Sequence, residues 1–152
     1  MKVEIVKYGK PNFPEIRKLV ELYASRLAPM TRIESVELKD VAPKPASKSS
    51  TKEKAPEQPP GEILIALDER GREWSSPELA RRFQAWRDDP RVKTVRLVIG
   101  GPYGLPAGTR ERAAHVWSLS QATFPSDIAW LLVWEQVFRA FSILNKTGYH
   151  HE

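Results

Sequence analysis

Two nearly unbroken apolar runs, EILIALD (62–68) and TVRLVIG (94–100), constrain this chain most. A strand that meets solvent on one face alternates apolar and polar residues. A run that stays apolar is covered on both faces, the condition of an inner strand in a parallel sheet. Helix signals separate these runs. SSPELARRFQAWR (75–87) offers Ser75 or Ser76 as a cap, Pro77 in the first turn, and Leu79, Phe83 and Trp86 on one face. ERGREW, between the first run and this helix, reads as a loop. Upstream, KVEIVKY (2–8) sets Val3, Ile5 and Tyr8 against Lys2, Glu4 and Lys7, the alternation of a half-buried strand. PEIRKLVELYASRL (14–27) opens on Pro14 and places Ile16, Leu19, Val20, Tyr23 and Leu27 on one helical face. TRIESVEL (31–38) returns to period two. Downstream come a short polar helix at TRERAAH (109–115), a strand at HVWSLS (115–120) and a long apolar helix at 128–144. This alternation predicts one α/β domain with a mostly parallel sheet.

A chain of 152 residues, 41% apolar and 28% charged, is of a size and balance to bury one core. With no cysteine, disulfides and thiolate zinc sites are excluded. The opening MKVEIVKYGK alternates like a strand and carries no apolar signal core, so a cytoplasmic protein is expected. The net charge of +5 favours polyanionic partners, since Lys and Arg on phosphates release counterions. Residues 128–144 hold Glu135, Gln136 and Arg139 and fall short of the roughly 20 apolar residues of a membrane span, so a buried helix is expected and no membrane partner. VAPKPASKSSTKEKAPEQPP (41–60), with five prolines and four lysines, cannot bury enough surface to offset its ordering entropy and reads as a flexible loop.

In parallel sheets, ligands sit beyond the C-terminal ends of the strands. Three such ends are unusual here, Leu67-Asp68, Gly100-Gly101 and Leu119-Ser120, and they point to one pocket built from three loops. The bend Gly100-Gly101-Pro102-Tyr103-Gly104 is neither a P-loop nor a G-x-G-x-x-G fingerprint. Its glycines admit either a ligand pressed on the main chain or a plain tight turn with Pro102 fixing one φ. His115, His150 and His151 lack metal-ligand spacing, so no metal is expected, and no G-x-S-x-G serine elbow occurs. In the last helix Trp130, Trp134, Phe138 and Phe141 form one stripe, while Leu131, Leu132, Val133, Val137 and Ile143 point elsewhere. A helix apolar nearly all round needs a second surface, and a homodimer through 128–144 supplies it.

Four blocks in order, LDERGREWSSPELA, LVIGGPYGL, WSLSQATFP and WEQVFRAFSILNKTGYHHE, resemble the RlmH family of ribosomal RNA large-subunit methyltransferases, small members of the knotted SPOUT class. The resemblance implies an enzyme that uses S-adenosyl-L-methionine to methylate N3 of a pseudouridine in 23S rRNA on the assembled ribosome. It implies a homodimer and a C-terminal trefoil knot. Carried over by position, Leu67, Gly100, Gly101, Gly104, Ser120, Gln121, Ala122, Thr123, Phe124 and Pro125 would hold the cofactor, and Tyr149 and His150 match the family's Tyr-His tail. His150 would act as base or orienter on the N3 proton, and Arg139 would steer phosphate or base. The chain departs from the family at Tyr103, where an acid is usual, at Ser126, where histidine is usual, and at His151, where Lys or Arg is usual. Two other readings follow from the departures: a divergent methyltransferase of this fold with another RNA target, and a non-catalytic ribosome-binding module.

Overall fold

The computed structural model describes residues 1–41 and 58–151. Five strands, β1 (Lys2–Tyr8), β2 (Arg32–Leu38), β3 (Glu62–Glu73), β4 (Thr94–Ile99) and β5 (His115–Ser118), form one sheet in the order β2-β1-β4-β3-β5. Every neighbouring pair is parallel. Four helices accompany them, α1 (Pro14–Leu27), α2 (Ser76–Asp88), α3 (Thr109–Arg112) and α4 (Ser126–Leu144). The α/β class with a parallel sheet is the observed one. The proline-rich loop expected at 41–60 falls mostly on residues 42–57, outside the described residues.

Strand order dictates where the helices go. The crossovers β1-α1-β2 and β3-α2-β4 step toward the β2 edge, and β4-α3-β5 steps away from it. Right-handed crossovers therefore put α1 and α2 on one face and α3 on the other. On the first face α4 lies between α1 and α2. There Val3, Ile5, Ile65, Leu97 and Trp117 of the sheet bury against Val20, Leu79, Phe83 and the Trp130-Trp134-Phe138-Phe141 stripe. On the second face a smaller cluster of Val6, Leu64 and Val98 meets Tyr8, Val36, Leu105 and Ala113. Capping sets the start of α2: Ser75 Oγ accepts a hydrogen bond from the Glu78 amide at 3.2 Å, with Pro77 in the first turn.

Two strands differ from expectation. ERGREW is not a loop: β3 continues to Glu73, its pairing with β5 jumping from Leu67↔Trp117 to Arg72↔Trp117 across a bulge. The Trp74 ring stacks on Trp117 at 5.5 Å and brings the chain back to the sheet edge. β1 is not half-buried either, since Val3 through Lys7 are all buried. Lys7 has the parity of Val3 and Ile5 and so lies on the helix-covered face, while Glu4 on the other face pairs with Lys2 and Arg96 at 2.5 and 2.7 Å.

α4 is more enclosed than its composition suggests. None of its residues is fully exposed, and its outward side chains Ile128, Leu131, Leu132, Glu135 and Arg139 are half-buried. Among the described residues no helix is long and apolar enough to cross a membrane.

Phe83 sits at the junction of α2 and α4, fully buried, with its ring 5.0 Å from Phe141 and 5.4 Å from Trp86. Phe83→Ala is expected to lower the unfolding free energy by about 3–5 kcal/mol. Urea denaturation measures it, and a loss below about 1 kcal/mol would show that this junction is not part of the core.

Candidate functional site

Loops leaving β1 and β3 turn toward the α1/α2 face, and the loop leaving β4 turns the other way. The strand tips part at β4, which opens a crevice at their carboxyl ends. A cleft of about 760 Å³ lies there. It is lined by the tips after β3 (Leu67, Asp68), β4 (Gly100, Gly101, Gly104) and β5 (Leu119, Ser120), and by Ala122, Thr123, Phe124 and Pro125 on the way to α4. Gln121 is exposed and does not line it. The Ser118 hydroxyl donates to the Ser120 carbonyl at 2.8 Å, and the Ala122 amide donates to Ser120 Oγ at 3.1 Å, so this last loop is held by its own serines.

The glycines of the bend answer to the protein itself. A Cβ on Gly100 would run into the Gly104 carbonyl carbon and lie 2.6 Å from the Leu105 nitrogen. A Cβ on Gly101 would lie 2.6 Å from Asp40 Oδ1 and 2.8 Å from the Tyr8 carbonyl oxygen. Both are needed for close packing of the chain on itself and on the β1 tip. Gly104 faces open space, and its φ of +79° is what calls for glycine. The Gly104 amide donates to the Gly101 carbonyl at 2.9 Å and closes a β-turn with Pro102 and Tyr103 at its corners.

Behind the bend lies a buried charge pair. Lys7 Nζ, on a side chain 1% exposed, stands 3.2 Å from Asp127 Oδ1 in the first turn of α4. It also donates to the Tyr8 and Gly9 carbonyls and to Ser126 Oγ at 3.3, 3.2 and 3.1 Å. Ser126 Oγ donates in turn to the Gly100 carbonyl at 2.6 Å, and the Asn12 amide donates to Asp127 Oδ2 at 2.7 Å. The ammonium joins the β1 tip to the α4 start directly, and through Asp127 and Ser126 the same network takes in Asn12 and the glycine bend. An acid at a helix N-terminus is also favoured by the helix dipole. Sequence reasoning missed this pair, although Lys7 shares the parity of Val3 and Ile5 in β1.

Asp68 on the cleft wall is held ionised. Arg70 donates to it from Nε and NH2 at 2.8 and 2.7 Å, and this guanidinium holds the carboxyl below its ordinary range. Arg110 adds a longer contact at 3.7 Å.

Arg139, Tyr149 and His150 come together, but not at the cleft. Arg139 donates to Glu135 Oε1 from Nε and NH2 at 2.9 and 2.6 Å, and the Tyr149 hydroxyl donates to the same oxygen at 3.1 Å. Burial, joined by hydrogen bonding to Tyr23, pushes the Tyr149 phenol well above its ordinary value and leaves it a hydrogen-bond donor to Glu135. Arg139 NH1 lies 3.3 Å from His150 Nδ1. A guanidinium only donates, so Nδ1 accepts, and neutral His150 carries its proton on Nε2. None of these three residues lines the cleft. Ser126 does, and Arg139 follows it by 13 positions on one helix, a rise of about 20 Å.

Removing one partner of the buried pair strands the other. Lys7→Met is expected to lower the unfolding free energy by about 3–5 kcal/mol, and the double variant Lys7→Met/Asp127→Asn to recover most of that loss. Urea titration reads both, and a double variant no more stable than the single one would contradict the pairing.

A family described as "Predicted SPOUT methyltransferase" matches residues 1–150. The ribosomal RNA large subunit methyltransferase H of Maridesulfovibrio salexigens is 36% identical over 154 residues, covering 99% of this chain and 98% of its own. The protein of the same name from Gloeobacter violaceus is 34% identical over 154 residues, covering 99% of each chain. A probable methylase family protein from Haemophilus influenzae Rd KW20 superposes with a TM-score of 0.55 at 13% identity, over 99% of this chain and 70% of that one, a likeness of fold. The family match runs through every described element and the cleft at the strand tips, and the two relatives align from end to end: the chain belongs to the SPOUT methyltransferases, enzymes that draw on a methyl-donor cofactor.

Proposed function

We propose that this chain methylates large-subunit ribosomal RNA with S-adenosyl-L-methionine, at N3 of a pseudouridine in 23S rRNA, in the cytoplasm where ribosomes are assembled. The observation that carries the reading is the cleft at three parallel strand tips in a chain that aligns end to end with relatives named ribosomal RNA large subunit methyltransferase H. The residues present fit the cofactor. Leu67, Leu119 and Phe124 give apolar walls for a purine, and the main chain at three tips offers polar groups for its edge. The cleft volume of about 760 Å³ lies within the range of small-molecule sites. When bound, the cofactor supplies an electrophilic methyl group on sulfur. The chain's task is then positioning: in-line displacement depends on holding the two reactants aligned. The return of the chain from β5 past the glycine bend, pinned by Ser126 on the Gly100 carbonyl, supports a trefoil-knotted C-terminal segment.

The separation of about 20 Å between cleft and tail along α4 supports a homodimer in which one protomer's tail serves its partner's cleft. The outward strip Ile128, Leu131 and Leu132 supplies apolar surface for that contact. As the tail stands, His150 offers an Nε2–H donor, so accepting the N3 proton requires Arg139 to release Nδ1 or His150 to act through an orienting hydrogen bond. Incoming phosphates compete for the Arg139 guanidinium and supply that release.

Calorimetric titration should show the wild-type chain binding S-adenosyl-L-methionine, with labelled methyl incorporated into intact ribosomes and the modified base identified by mass spectrometry. Incorporation into transfer RNA alone would favour a different RNA target, and absence of cofactor binding would end the reading. His150→Ala is expected to abolish turnover with cofactor affinity within about twofold. Mixed dimers of His150→Ala and Leu67→Trp, each inactive alone, are expected to regain activity, because one of their two sites has an intact cleft and an intact tail. No regain would place cleft and tail function in the same protomer.

A further inference from the structure

We propose that Tyr103 is a stacking platform for an unpaired nucleobase at the mouth of the cleft, with Lys10 beside it for the adjoining phosphate. The inference rests on the RNA-methylation reading and names how the substrate is gripped outside the reacting centre. Among the described residues the large hydrophobic side chains left exposed include two aromatics, Tyr103 at 61% and Phe13 at 53%. Both line the same cleft. An exposed aromatic costs hydration free energy that a core position would recover, so two of them on one rim mark a surface shaped for a ligand.

The turn makes Tyr103 a fixed platform. Pro102 locks one corner, the Gly104 amide closes the turn on the Gly101 carbonyl at 2.9 Å, and Gly104 takes the φ of +79° that the exit requires. Pro102 Cδ would be 3.3 Å from a Cβ on Gly9, so the turn rests directly on the β1 tip. Behind it the Gly100 carbonyl is tied through Ser126 to the buried Lys7. The ring is thus held outward by a backbone with little freedom, and little ordering entropy is lost when a base stacks on it.

The charges around it select the class of ligand. Lys10 is exposed and has no carboxylate within ion-pair distance among the described residues, while Arg70 and Arg110 stand on the opposite wall around Asp68. Aromatic faces interleaved with cations are the arrangement that binds single-stranded nucleic acid, where bases are free to leave their own stack. A duplex keeps its bases stacked and offers Tyr103 no face.

The test uses the full chain saturated with S-adenosylhomocysteine and a fluorescein-labelled single-stranded RNA of about ten nucleotides, read by anisotropy at low salt. Stacking of this kind is worth about 1–3 kcal/mol per base, so Tyr103→Ala is expected to raise the Kd about 5- to 150-fold. Tyr103→Phe and Tyr103→Trp are expected to stay within about twofold of wild type, and Lys10→Ala to reduce the salt slope by about one. The proposal is overturned if wild type fails to bind this RNA or if Tyr103→Ala binds it within twofold of wild type. It is also overturned if Tyr103→Ala weakens S-adenosylhomocysteine binding in parallel, or shifts the sedimentation coefficient, which would assign the ring to the cofactor site or to a second copy. Ribosome methylation by wild type is scored separately: its absence with stacking intact counts against the enzymatic reading and leaves the platform standing.

Discussion

The ammonium of Lys7 is the point on which the site is hung. It lies on the helix-covered face of a central strand, away from water, and is satisfied by one carboxylate, two main-chain carbonyls and one hydroxyl. A buried ion pair contributes little to net stability, because desolvation offsets most of its attraction. Its effect is on arrangement. Any other seating of α4 against β1 would leave a charge without a partner in the interior. The start of α4, the glycine bend and the loop after β1 are thereby held in one register, and the cleft is the space between them.

The fold subdivides the work along α4. Its first turn closes the cleft, its middle fills the core with Trp130, Trp134 and Phe138, and its last turns carry the Glu135–Arg139–Tyr149–His150 network. The helix rise of about 20 Å between Ser126 and Arg139 keeps the cleft and this network apart in the single chain. That separation is the geometric ground for proposing that one protomer's tail serves its partner's cleft, with the half-buried strip of α4 as the contact. The rim adds a third element, the exposed Tyr103 on a rigid turn with the exposed Phe13 on the same cleft.

Much of the fold was legible in the sequence. β1 and α1 have the expected bounds, and the other elements except β3 fall within a few residues of theirs, because helical spacing and long apolar runs report burial directly. What escaped notice depends on partners distant in the chain. Lys7 shares its parity with Val3 and Ile5, yet nothing local says that Asp127 will meet it. The second limb of β3 is drawn back by a stack between Trp74 and Trp117, and ERGREW alone carries no sign of that partner. The sequence leaves the glycine bend open between a ligand site and a tight turn; Gly100 and Gly101 line the cleft and also make room for Leu105, Asp40 and Tyr8. Of the residues expected to hold the cofactor, Gln121 alone stands off the cleft, since it projects from the crown of a loop whose turns are bound by Ser118 and Ser120.

A crystal structure of the chain grown with S-adenosylhomocysteine tests the central claim most directly. The nucleoside is expected between the tips of β3, β4 and β5, in contact with the main chain on both sides of the glycine bend, with the Lys7–Asp127 pair unbroken behind it. A nucleoside bound on another surface, with the crevice at the strand tips closed, would contradict it.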